Sequence, residues 1–330
     1  MLLAALALFV TCLAYFAIPL FRQNALLLWT AAASEIIKAL VPVYYFYGIK
    51  RVSTASILEI SARAGAAAGI FLFVHGPEDA WKVFALTTFT SAAILIIGHA
   101  MMYSRYAPRW PRVSEGIQTI RDDWAMFLFR SSHTIYVVGN AFILGLFASP
   151  QAVGYYAGAE KIGAAAVGLL APFTTVLYPR AAALVKISMP KAARATAISF
   201  YIVAGASVFL TLAMWFGASL IIPIILGHGF APSEGVLQIL GLRAPLIAWV
   251  NVLGFQWLLV LGLERQFQRV TVAALVLNVF LAVVLAPRFS YDGMAWAVVT
   301  SQLAAAVGIY IVLQRRGLNP FSMRATESYA

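Results

Sequence analysis

Residues 154–185 read GYYAGAEKIGAAAVGLLAPFTTVLYPRAAALV. This run is apolar enough to cross a lipid bilayer, yet it carries an adjacent acid and base, Glu160 and Lys161, near one end. Pro172 lies inside the run and Arg180 near its other end. Charge within a span is costly, and proline removes a backbone hydrogen bond that a neighbour must replace. The stretch therefore predicts a membrane helix that faces other helices and a polar cavity.

The whole chain has the composition of a bilayer protein. Of its 330 residues, 62% are hydrophobic and 11% are charged, and the mean hydropathy is +0.88. This leaves too little polar surface to cover a soluble particle. The net charge is +11, but the basic footprint of a nucleic-acid-binding domain is missing, so nucleic acid is not a predicted partner. Cys12 is the single cysteine, so we predict no disulfide, no metal site and no cofactor.

Apolar runs of spanning length predict an all-α membrane protein with about ten transmembrane helices. Arginine and lysine gather on alternate loops, and the positive-inside rule then places both termini in the cytoplasm. The apolar run 219–226 is too short to cross alone and either extends the seventh span or forms a separate element. The ten predicted spans are 1–20, 25–47, 54–74, 81–103, 124–147, 155–184, 197–217, 236–260, 270–286 and 294–314.

A weak internal repeat divides the chain into two lobes. Residues 47–51 (YGIKR) and 261–265 (LGLER) each end a span on the predicted cytoplasmic side, and two spans with a short outer loop follow each. Internal repeats are common in transporters. Aligning them gives a second lobe of six helices and a first lobe of four, so the first lobe is predicted to lack two N-terminal helices. The predicted divisions are 1–112, the incomplete N-terminal lobe with the start of a cytoplasmic linker; 113–316, the C-terminal lobe; and 317–330, a cytoplasmic tail.

Three stretches carry a resemblance to a known family. Residues 152–162 (AVGYYAGAEKI), 172–180 (PFTTVLYPR) and 42–51 (PVYYFYGIKR) resemble the polysaccharide (O-antigen type) flippases of the MATE-like, or multidrug/oligosaccharidyl-lipid/polysaccharide exporter, superfamily. The resemblance runs over essentially the whole chain. It implies two six-helix lobes, transport by alternating access and a multi-pass protein of the bacterial cytoplasmic (inner) membrane.

Cations outnumber acids within the predicted spans. A cation that faces lipid near the midplane costs about 2.5 to 3.5 kcal/mol, so those far from a helix end are expected to point inward and make the interior positive. Helical spacing lets Glu35 pair with Lys38. The same spacing rule lets Glu59 pair with Arg63. An alternative to substrate binding is that both pairs only neutralise their charges and hold the second and third helices together.

Other cations have no acid on their own helix. Arg130, His133 and Asn140 share one face of the fifth span, and Arg243 lies in the eighth. For Arg180, we expect the long side chain to reach the cytoplasmic lipid headgroups from within the helix. We predict no catalytic residues, and we predict pairing or ion coupling for Glu35, Glu59 and Glu160. The predicted cationic, substrate-binding cavity consists of Arg130, Arg243, Arg63, Lys38, Lys161, His133 and Asn140.

A buried cationic surface predicts an anionic ligand. A polyprenyl-pyrophosphate oligosaccharide fits, because its diphosphate matches Arg and Lys donors. The resemblance implies a non-enzymatic transporter that flips such a lipid-linked oligosaccharide, with membrane lipids and polysaccharide polymerase or co-polymerase proteins as candidate partners. Alternatives are a MATE-like exporter, for which acidic cavity groups are expected, and a flippase for a lipid-linked peptidoglycan precursor. A membrane polysaccharide polymerase or ligase is a further alternative, but the largest outer loop, 227–235, offers few catalytic candidates.

Overall fold

Helices form the regular structure throughout residues 2–104, 118, 121, 139–170, 183–185 and 187–322, which are the residues that this computed structural model describes. The all-α fold is thereby confirmed for that part of the chain. The main elements are α1 (Leu2–Ala17), α2 (Pro19–Gln23), α3 (Ala25–Leu40), α4 (Val43–Gly48), α5 (Val52–Phe73), α6 (Ala80–Tyr103), α7 (139–147), α8 (Pro150–Gly168), α9 (Met189–Ile225), α10 (Ser233–Gly241), α11 (Arg243–Trp249), a π-helix (Val250–Leu258) and α12 (Glu264–Arg315), with 3-10 turns at Pro77–Asp79 and His228–Phe230.

Six helical segments in the described part are long and apolar enough to cross a membrane. They make the chain a multi-pass membrane protein, while the number of ten spans stays a prediction. The apolar run 219–226 proves to be the end of the seventh predicted span, because α9 continues unbroken to Ile225. The segments are α3 with α4, α5, α6, α9, α10 through the π-helix, and α12.

The packing divides the chain into two compact units, Met1–Trp124 and Ala125–Ala330. The predicted division between 112 and 113 lies outside the described residues. In the first unit, α6 packs against both α3 and α5. Pro42 separates α3 from α4, and its ring lies where a side chain on Gly98 would be, since a Cβ there would come within 3.0 Å of the ring. This close approach fixes the break against α6.

A short loop closes α5 onto α6 in the first unit. The Asp79 carboxylate accepts hydrogen bonds from the Lys82 ammonium at 2.6 Å and from the His75 backbone N–H at 3.1 Å. The hydrogen bond from Lys82 is the main reason that the pKa of Asp79 is lowered, and the His75 bond adds to it. The loop is therefore held by a carboxylate that stays ionised.

In the second unit, α12 is a hairpin of two helices. A straight helix of 52 residues would be about 78 Å long, more than twice the hydrocarbon thickness of roughly 30 Å. Ser290 has non-helical backbone angles (φ 50°, ψ −129°) and reverses the chain. A hydrogen bond from Asn278 Nδ2 to Ser301 Oγ (3.3 Å) then joins the first arm, residues 264–289, to the second arm, residues 291–315.

Two sets of contacts mark the opposite ends of the second unit. At one end, the ring of Tyr155 makes edge contacts with Phe230 and Tyr291, so the loops before α10 and within α12 meet the start of α8. At the other end, Trp257 Nε1 donates to the Leu318 carbonyl (2.9 Å). Residues 318–321 of the predicted tail thus pack on the helices, with Phe321 against Phe200 and Tyr201. The loops alternate between ends as the predicted topology requires, and which end is cytoplasmic stays a prediction.

Candidate functional site: a buried ion pair in the second unit

Glu160 is placed by the start of α8. Ser149 is the N-cap, with its Oγ accepting the Ala152 N–H at 3.3 Å, and Pro150 occupies the first helical position. Both residue types favour a helix start here, so the helix begins five residues before the predicted span. Ten residues at 1.5 Å each put Glu160 about 15 Å from that start. This is about half the thickness of the hydrocarbon core.

Arg243 reaches a similar depth on a different helix. It follows Ser233, the first residue of α10, by ten residues, and hence by about 15 Å. The Ser233 Oγ donates a hydrogen bond of 2.9 Å to the Tyr155 carbonyl of α8 and so ties the two helices together near their starts. The packing of α8 against α10 therefore brings two residues 83 positions apart into one layer of the bundle.

Arg243 and Glu160 form an ion pair inside the second unit. The distance from Arg243 Nη1 to Glu160 Oε1 is 3.9 Å, and the two side chains are only 11% and 14% exposed. This distance exceeds that of a hydrogen bond, so the contact is electrostatic. Among the described residues, the buried Nε of Arg243 has no hydrogen-bond partner. A guanidinium has five N–H donors, and Arg243 keeps donors for a further ligand.

A tyrosine hydroxyl and several apolar side chains lie beside the pair. Tyr156 is fully buried one helical turn before Glu160, and its hydroxyl interacts with the Glu160 carboxylate. Ala159, Leu237 and other buried side chains form the core around them. Low polarity strengthens the attraction between the charges and raises the cost of leaving either one alone. Tyr156 was missed in the sequence, although its i,i+4 spacing from Glu160 was a usable signal.

The predicted acid–base pairs of the first unit are present. Lys38 Nζ lies 2.7 Å from Glu35 Oε1 on α3, and Arg63 lies 3.9 Å from Glu59 on α5. These side chains are much more exposed than the Arg243 pair, with Arg63 at 83%. Pairing within a single helix accounts for their positions, and their part in substrate binding stays a prediction.

Two of the remaining predicted site residues lie in the described structure, and their part in substrate binding stays a prediction. Lys161 is exposed, whereas Asn140 is buried on α7 and has an interaction partner. Arg130 and His133 lie outside the described residues. Within the described ranges there is also no cluster of His, Cys, Asp or Glu that could hold a metal ion. The site that the structure defines is therefore the pair of Arg243 and Glu160 with Tyr156.

Comparison with known proteins places this chain in a family. Residues 1–185 match the family described as "Polysaccharide biosynthesis protein". The chain belongs to this family. The match includes Glu160 and Tyr156, and it confirms the family resemblance that the sequence motifs indicated.

Two relatives are similar to most of the length of the chain. A protein of Escherichia coli (strain K12) named "Putative O-antigen transporter" is 25% identical over 287 residues, which cover 84% of this chain and 68% of the relative. A protein of Shigella dysenteriae with the same name is 25% identical over 281 residues, covering 83% of this chain and 68% of that protein.

Proposed function

We propose that this protein is a transporter that moves an anionic, polyprenyl-diphosphate-linked oligosaccharide across the bacterial cytoplasmic membrane. The observation that carries the proposal is Arg243, a buried guanidinium whose Nε has no hydrogen-bond partner among the described residues and whose Nη1 lies 3.9 Å from the Glu160 carboxylate. The proposal also rests on the family and on the names of the two relatives.

The chemistry of Arg243 favours a phosphate-containing ligand. A planar guanidinium binds phosphate oxygens through two parallel hydrogen bonds, which a lone contact of 3.9 Å to Glu160 does not provide. A diphosphate brings more negative charge than one carboxylate and would take over the free donors of Arg243. Glu160 would then act as the counterion that keeps the empty site stable and gives way when the more highly charged diphosphate arrives.

Breaks in the membrane helices support transport by alternating access. Pro42 interrupts the second predicted span. A nine-residue π-helix, Val250–Leu258, follows α11, the helix that begins at Arg243, in the eighth span. Broken helices near binding sites are a recurring feature of transporters, and π-helical segments are frequent at functional sites. In the proposed cycle, rearrangement at the π-helix exposes Arg243 to one side of the membrane and then to the other.

The alternatives differ in the ligand that they require. An exporter of organic cations would need a site with net negative charge. The positive charge of Arg243 and the negative charge of Glu160 instead cancel each other. A polymerase or ligase would need catalytic groups that its substrates can reach. The charges of Arg243 and Glu160 are instead buried among the helices. A lipid-linked peptidoglycan precursor shares the diphosphate, so a transport assay has to separate it from an oligosaccharide lipid.

Display of surface polysaccharide tests the proposal in cells that lack their own transporter. We expect Arg243→Gln to abolish display, because the phosphate-binding donors are lost. Glu160→Gln keeps those donors and should retain display when compared at equal protein level. Arg288→Gln, which removes an exposed charge from the hairpin end of the second unit, is the matched control and should behave as the parent.

Two results would count against the proposal. Normal display with Arg243→Gln at parental protein level would show that the buried cation does not bind the substrate. Rescue of peptidoglycan synthesis without any polysaccharide display would assign the protein to the peptidoglycan precursor instead.

A further inference from the structure

The first arm of α12 has two faces of opposite character. One face carries Phe267, Asn278 and Ala282, which are buried against the rest of the second unit. At 100° per residue, the opposite face begins with two arginines and continues with apolar side chains. All of that second face is exposed, and it consists of Arg265, Gln268, Arg269, Val272, Val276 and Phe280.

A cavity lies at the arginine end of this exposed face. Its volume is about 450 Å³, and it is lined by Arg265, Gln268, Arg269, Val272 and Ala273. The cavity is shallow and wide open, because all of its lining residues belong to one exposed face of a single helix. Glu264 precedes the arginines but does not line the cavity. Within the described ranges neither arginine has an ion-pair partner, so both charges are available to a ligand.

We propose that this face is a docking site for the polyprenyl-diphosphate end of the transported lipid, before the headgroup reaches Arg243. The proposal rests on the proposed function. Arg265 and Arg269 are one helical turn apart, about 5 to 6 Å between their Cβ atoms, and so can bind both phosphates of a single diphosphate. Gln268, between them on the cavity wall, can hydrogen-bond the first sugar.

The apolar part of the face determines which phosphate-containing ligand fits. Val272, Val276 and Phe280 are 52%, 64% and 62% exposed and extend the face from the arginines toward the membrane interior. A single isoprenoid chain can lie along this narrow, branched stripe while its diphosphate stays at the arginines. Free pyrophosphate would use only the arginine end of the site, and its binding should be weaker because the apolar contacts are lost.

Binding of farnesyl diphosphate to the full chain tests this docking site. The chain is placed in nanodiscs of zwitterionic phosphatidylcholine. It carries Arg243→Gln, so that the buried site no longer binds the diphosphate. We expect Arg265→Gln with Arg269→Gln to weaken binding by about tenfold or more, because two charge-assisted contacts are removed. Val276→Ser should weaken farnesyl diphosphate binding and leave the binding of inorganic pyrophosphate unchanged.

A matched control removes two other exposed charges from the same predicted face of the membrane, Lys191→Gln with Arg194→Gln. An equal loss of binding in this control would show only general electrostatic attraction and would overturn the proposal. The Arg265 and Arg269 changes could also weaken phosphatidylglycerol binding as much as farnesyl diphosphate binding. That result would assign the face to bulk anionic lipid and would overturn the proposal. Unchanged farnesyl diphosphate binding, with Arg243 still required for display, would remove the docking site but leave the proposed function intact.

Discussion

Removal of either charge of the Arg243–Glu160 pair should destabilise the second unit by several kcal/mol. At an effective dielectric constant of about 20, unit charges 3.9 Å apart attract each other by about 4 kcal/mol. Removing one partner of a buried pair also strands the other, and the usual cost is about 3 to 5 kcal/mol. We therefore expect Arg243→Gln and Glu160→Gln each to lower the free energy of unfolding by roughly this amount.

The double variant decides whether the two charges act as a pair. When both residues are glutamine, no charge remains buried, so the double variant should be more stable than the sum of the single effects predicts, by about 2 to 4 kcal/mol. The assay is reversible unfolding in mixed detergent micelles, followed by tryptophan fluorescence. Effects that add to within about 0.5 kcal/mol would refute the pairing.

Three further predictions concern the loops. Replacing Ser290 with glycine should raise the stability of the α12 hairpin by about 1 kcal/mol, as measured by thermal unfolding, because Ser290 has φ 50° and glycine adopts this region without strain. The pKa of Asp79 is lowered, so its contribution is present above the ordinary value of 3.8 and is lost as the pH falls through the folded-state pKa. The protection factor of loop 75–79 in hydrogen exchange, which corrects for the intrinsic pH dependence of exchange, should therefore fall in acid for the parent but change little with pH for Asp79→Asn. Cysteine at Ser149 should react with an impermeant maleimide on intact cells and cysteine at Lys191 should not, and the reverse pattern would invert the predicted orientation.

Features set by short stretches of sequence could be predicted. Apolar runs of spanning length indicated the all-α membrane fold, because burying backbone polar groups in lipid demands helices. Spacings of three and four residues indicated the pairs of Lys38 and Arg63, since such residues are neighbours on one helix whatever surrounds it. The family resemblance was likewise carried by contiguous motifs such as residues 152–162.

Features set by packing between distant segments could not be predicted. Glu160 meets Arg243 across 83 positions only because α8 packs against α10, and no spacing rule connects two different helices. The docking of residues 318–321 on Trp257 likewise depends on where the second arm of α12 ends. The π-helix left no recognisable signal either, because its extra residue per turn is fixed by its neighbours.

Recognition of a diphosphate by the buried charge of Arg243 is the central step of the proposed transport. The most direct measurement is the rate at which proteoliposomes translocate a fluorescent oligosaccharide lipid, made in a diphosphate-linked and an uncharged, ether-linked form. We expect the parent chain to move only the diphosphate-linked form, and the Arg243→Gln, Glu160→Gln double variant, compared at an equal amount of folded protein, to move neither. Equal transport of both forms by the parent, or continued transport of the diphosphate form by the double variant, would contradict the account.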